Sequence, residues 1–199
     1  MAGGLKSFRG LFTYKGLVRL NLLFVFLSLF SCVSEPSFPK PKAYFALSYP
    51  AATYKSFTNE FYQLPLNDKA LIVRETPKSI EVYYPALNAS LFLNYTPMEA
   101  SLEVLEAGIE SKLSEHQKKA NSIVAFPYEN PVAKKEGVLY EIRGNAASAA
   151  QFYITDSQNH FLSGALYFNI KPQYDSIYPA AQYILNDLRN LMGELSWEQ

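Results

Sequence analysis

Apolar positions follow two different periods along this chain, and the switches between them mark out its elements. From Ala43 onward, β-rich runs predict strands at Tyr44–Tyr49, closed by Pro50, and at Phe61–Leu64. Further strands are predicted at Ala70–Arg74 and Ser79–Tyr84, either side of Thr76-Pro77-Lys78, and at Ser90–Tyr95. The period then becomes helical. Met98, Leu102, Leu105, Ile109 and Leu113 recur at steps of four, three, four and four, which draws one apolar stripe along a helix from Pro97 to about Lys119. Thr96 reads as its N-cap, with Pro97 where a missing N–H costs nothing and Glu99 completing a capping box. Acids gather at its start and lysines at its end, as the helix dipole favours.

A second β set is predicted at Ser122–Phe126, Gly137–Arg143, Ala149–Thr155 and Phe161–Ile170, with turns at Gly144-Asn145 and Asp156–Asn159. The last element is a helix from about Ser176 to Leu195. Ile177, Ala181, Ile184, Leu185, Leu188, Leu191, Met192 and Leu195 line one side of it, and Asp175 or Ser176 can cap it. Strands, helix, strands and helix joined by hairpin-length links predict an α+β domain, a mostly antiparallel sheet with packed helices. The element order is similar to the Mog1/PsbP-like sandwich, an analogy of topology that carries no chemistry.

The chain starts differently. Residues 1–19 hold Lys6, Arg9, Lys15 and Arg19 and no acid, and Leu20–Phe30 is apolar except for Asn21 and Ser28. A basic stretch, a short apolar run and a small residue form the layout of a secretory signal, here residues 1–31. The run is about half the roughly 20 residues a spanning helix needs. Leu29-Phe30-Ser31-Cys32 resembles the bacterial lipobox, which implies a diacylglyceryl group on the Cys32 thiol and cleavage just before it. The alternative is a Cys buried at the end of an anchor helix. Pro36, Pro39 and Pro41 then stiffen residues 32–42 into a stand-off tether ahead of a single domain, 43–199.

Composition narrows the chemistry. One Cys excludes an intramolecular disulfide, and two His leave little for a zinc catalyst, so neither metal nor cofactor is expected. Eighteen basic and eighteen acidic residues leave no basic field for nucleic acid. Losing residues 1–31 removes four bases and no acid, taking the formal charge from 0 to −4. Lipid, and not charge, would therefore hold the domain at an anionic membrane. Fifteen Tyr and fourteen Phe exceed what a small core requires, which suits protein interfaces or sugar-facing grooves as well as ordinary strand packing.

Candidate site residues cluster late in the chain. Asn145, Ser148 and Gln151 sit among Ala146, Ala147, Ala149 and Ala150, either as a recessed polar site or as a place where small residues let neighbours press close. Gly144 permits a positive φ or a tight approach. Ser148, Asp156 and His160 are the residue types of a hydrolytic triad, but no nucleophile elbow surrounds Ser148. Asp156, Ser157 and Asn159 read more naturally as turn residues with Asx-type bonds. His160 is either a ligand or pH sensor, or a hydrogen-bonded structural imidazole. Asp175-Ser176-Ile177 resembles an acceptor for periplasmic O-glycosylation, although helix capping accounts for the same residues.

The most distinctive stretch runs Gly144-Asn145-Ala146-Ala147-Ser148, Gln151-Phe152-Tyr153, Thr155-Asp156-Ser157, His160-Phe161 and Gly164-Ala165-Leu166-Tyr167-Phe168-Asn169. It resembles the hallmark of the gliding-motility lipoprotein GldD family, with Ser163 standing where that family often carries Arg. The resemblance covers about Pro39 to Trp197. It implies a non-enzymatic cell-envelope lipoprotein, anchored in a membrane by Cys32 and facing the periplasm. Its implied partners are the other envelope proteins of the gliding and type IX secretion machinery. A glycan- or small-ligand-binding module and an envelope hydrolase stand as alternatives, with Asn145, Ser148, Gln151 and His160 as possible binding residues.

Overall fold

The computed structural model describes Val18, residues 49–170 and residues 173–198. The lipobox, the tether and all but the last residue of the strand expected at Tyr44–Tyr49 lie outside the described residues, and Tyr49 itself is not in a strand. The elements are β1 (Tyr54–Thr58), β2 (Tyr62–Asn67), β3 (Leu71–Thr76), β4 (Ser79–Tyr84), β5 (Ala89–Pro97), α1 (Leu102–Gln117), β6 (Ala120–Asn130), β7 (Lys135–Gly144), β8 (Ser148–Thr155), β9 (His160–Phe168), α2 (Tyr174–Glu194) and β10 (Ser196–Trp197). They build two antiparallel sheets, one of seven strands in the order β3-β4-β5-β9-β8-β7-β6 and one of three in the order β1-β2-β10. The α+β class read from the sequence is the class observed.

Alternation along the strands gives the large sheet two apolar faces. Ala150, Phe152 and Ile154 of β8 join Leu91 and Leu93 of β5 in the larger core, which also takes in Ile184, Leu185 and Leu188 of α2 and Tyr62, Leu64 and Leu66 of the small sheet. The intervening residues of β8 belong to the other face, where Ile109 and Leu113 of α1 pack with Ile142, Ala146, Tyr153 and Phe161. Every residue of the stripe read along the final helix is buried, from Ile177 to Leu195. Gly164 is required by this packing. A Cβ there would stand 2.2 Å from the ring of Phe152, whose side chain is fully buried.

Charged groups inside the α2 face are matched. Lys135 of β7 is 5% exposed, and its Nζ donates to the carbonyls of Gly193 at 2.8 Å and Leu195 at 2.6 Å, closing the C-terminus of α2 with a cation. Burial lowers the pKa of this lysine. The buried Glu141 accepts hydrogen bonds from Arg143 Nε at 3.0 Å and Gln182 Nε2 at 2.9 Å.

Both helix starts differ from the local reading. α1 begins at Leu102 with Ser101 in the N-cap position, because Thr96 and Pro97 remain in β5, paired with Phe161 and His160. The Met98 N–H then donates to the Asn159 carbonyl at 2.9 Å, so sheet pairing outcompetes the capping box. Asp175 and Ser176 lie inside the first turn of α2 and do not cap it; Gln173 occupies the cap position. The Tyr174 N–H instead donates to Asn145 Oδ1 at 3.0 Å. β1 and β10, absent from the sequence reading, are a mostly exposed strand and a two-residue strand.

Candidate functional site

α1 packs against β6 and β8, and among the described residues no helix covers the same sheet face over β5 and β9. The uncovered part is a groove of about 720 Å³. Its floor carries Phe92 and Asn94 of β5, Ser163, Ala165 and Tyr167 of β9, and Gln151 of β8, while Ile109 and Lys112 of α1 form one wall. Alternation is the reason these side chains share a face, since Gln151 pairs with Ala165 and Phe92 pairs with Ala165 from the other side. Phe92 and Tyr167 meet edge to face with centroids 5.8 Å apart. Burial and the nearby Glu115 raise the pKa of the Tyr167 hydroxyl, which stays neutral and can donate.

Gln151 is the notable member. It is 2% exposed, and its Oε1 has no hydrogen-bond partner. An orphaned amide oxygen of this kind costs roughly 1–3 kcal/mol. Lys112 carries the one charge among the residues forming the groove's walls and floor.

The other residues singled out in the sequence take structural positions. Asn145 is exposed and caps α2 from a distance. Ser148 is buried, with Oγ 2.9 Å from the Ala150 carbonyl and 3.1 Å from the Leu166 carbonyl, bridging the register shift between Ser148 and Ala150. Gly144 has φ +114°, and a Cβ there would lie 2.5 Å from the Asn121 nitrogen.

Asp156 Oδ1 accepts from the N–H groups of Gln158, Asn159 and His160, the Asx turn anticipated. Burial works to raise its pKa, and these three donors lower it overall. His160 Nδ1 lies 2.9 Å from the Tyr95 hydroxyl, and its ring stacks on Trp197. Ser148 pairs with Tyr167 at one end of the β8–β9 hairpin, and His160 opens β9 at the other. With strands rising roughly 3.3 Å per residue, about 20 Å separates them. The triad residue types are not brought together.

A second polar cluster escaped the sequence reading. Asp187, on the buried side of α2 and 5% exposed, accepts from the Tyr54 hydroxyl at 2.8 Å, Asn67 Nδ2 at 2.8 Å and the Tyr84 hydroxyl at 3.2 Å. Burial raises its pKa against the pull of those donors. The cluster ties α2 to β1, β2 and β4. Only the spacing of Asp187 within the apolar stripe, three residues after Ile184 and one before Leu188, could have signalled it.

Among the described residues no helix is long and apolar enough to cross a membrane, and no group of three His, Cys, Asp or Glu could hold a metal ion. Two antiparallel sheets with helices packed on them, and polar groups spent largely on internal bonds, define the class: a two-sheet α+β module. The family model described as gliding motility lipoprotein GldD matches residues 34–197, and the chain belongs to that family. It is accordingly a non-enzymatic, membrane-anchored lipoprotein of the cell envelope, facing the periplasm and working with the gliding and type IX secretion machinery. No curated protein matches the chain.

Proposed function

We propose that residues 1–31 direct export, that Cys32 carries the lipid, and that residues 32–42 hold a single domain, 43–199, away from the membrane to support assembly of its envelope partners. The observation that carries this reading is the family match, which starts at residue 34, two positions after Cys32, and extends to residue 197. A large antiparallel sheet with helices over both faces supports the finer assignment to the Mog1/PsbP-like sandwich. Of the four candidate binding residues, Gln151 stays in the reading as a groove residue, whereas Asn145, Ser148 and His160 serve helix, bulge and inter-sheet contacts.

The test is crosslinking of the native acylated protein in its own envelope, with identification of the captured neighbours. Secretion or motility proteins are the expected captures. A deletion strain that crawls and secretes normally would end the proposal. Cys32→Ala should abolish fatty-acid incorporation and release the domain from membrane fractions.

A further inference from the structure

The groove beside α1 makes demands that a purely packing role leaves unmet. Its floor holds an acceptor, Gln151 Oε1, that is buried without a donor. Around it stand an aromatic pair, Phe92 and Tyr167, and neutral polar groups, Asn94 and Ser163, with Lys112 the one charge. The volume of about 720 Å³ lies within the roughly 300–1,000 Å³ usual for small-ligand sites.

Three ligand chemistries can be compared with this lining. An acyl chain would fill the apolar part and leave Gln151 still unpaired, the costly outcome. An anion would meet one lysine and a buried oxygen of the wrong polarity. An extended peptide gains most of its affinity by adding a strand to a sheet edge, whereas this floor is a sheet face whose backbone groups are already paired. A sugar ring has an apolar face for the aromatic pair and hydroxyl or N-acetyl N–H donors for the amide oxygens. We infer that the groove between α1 and strands β5, β9 and β8 binds a neutral saccharide, with Gln151 Oε1 accepting from the ligand and Phe92 and Tyr167 packing on its ring. This site is independent of the partner-assembly reading and stands or falls separately from it.

The experiment uses the full-length acylated protein in lipid nanodiscs, with N,N′,N″-triacetylchitotriose and maltotriose as probes, followed by saturation-transfer NMR and calorimetry. At least one trisaccharide should bind saturably. Gln151→Leu and Phe92→Ala should each weaken that binding at least tenfold, while Arg189→Ala, at an exposed position of α2 on the opposite sheet face, changes it less than twofold. Phe92 is only partly buried, so its variant keeps the test decisive if Gln151→Leu fails to fold. The inference is overturned if neither sugar binds, if binding survives both groove substitutions, or if Lys112→Ala removes it as an anion site would require. Displacement of neither sugar's signal by the other, where both bind, would likewise overturn a single shared site.

Discussion

His160 lies flat against Trp197, with ring centroids 4.9 Å apart and planes 8° from parallel. The contact joins the two sheets, since His160 opens β9 of the large one and Trp197 is in β10 of the small one. Stacked aromatic pairs contribute about 0.5–1.5 kcal/mol beyond the area they bury. A double-mutant cycle with His160→Ala and Trp197→Ala should give a coupling of about 1 kcal/mol in urea unfolding. Strict additivity would mean the rings touch without holding the sheets together.

Two glycines should respond in opposite directions. Gly164→Ala forces a methyl to within 2.2 Å of the buried Phe152 ring and should cost about 1–3 kcal/mol or more, by overpacking. Gly108, in α1, has no atom within 4 Å of an added Cβ, so Gly108→Ala should stabilise by about 0.5–1 kcal/mol through helix propensity. Denaturant midpoints of the two variants are the readout, and equal signs would contradict the packing described.

Removing the acceptor at position 187 should be expensive. Asp187→Leu leaves the hydroxyls of Tyr54 and Tyr84 and the amide of Asn67 facing an apolar group, and buried unpaired donors cost roughly 1–3 kcal/mol each. Tyr54 is partly exposed and can turn to water, so the expected loss is about 2–4 kcal/mol in thermal or urea unfolding. A change below half a kcal/mol, on the order of a neutral surface substitution, would show that the cluster contributes little.

Alkali should destabilise this protein through four tyrosines whose hydroxyls resist ionisation in the folded state. Burial raises Tyr54 and Tyr62 from 10.0 to about 12, and raises Tyr84 and Tyr153 further still. Between those values the unfolded chain has lost protons that the folded chain keeps, so unfolding is favoured increasingly as pH rises. The stability these groups contribute is fully present below pH 10 and is lost progressively toward about 12. Urea unfolding midpoints followed from pH 9 to 11.5 should fall steadily. A midpoint that stays constant across that range would contradict the burial of these hydroxyls.

Much of the fold follows from local periodicity. The stripe from Ile177 to Leu195 could face only a core, and β4 spans the residues read from sequence, Ser79–Tyr84. The Asx turn at Asp156 is equally local, because its donors lie within four residues. Periodicity and turn chemistry act over short distances, which is why one chain read alone determined them. The family block around Asn145–Asn169 was legible for a related reason, being contiguous in sequence.

Tertiary structure decided whatever depends on pairing between distant segments. It kept Thr96 and Pro97 in a strand by bonding them to β9, and it made Asn145 the partner of an N–H 29 residues away. It placed Ser148 and His160 at opposite ends of one hairpin, and it surrounded Asp187 with donors from β1, β2 and β4. It also left Gln151 Oε1 without a donor, on a face that α1 covers only in part. A hydrogen bond gains free energy from two groups that meet only once the sheets have formed, so its identity lies in their assembly and not in either segment.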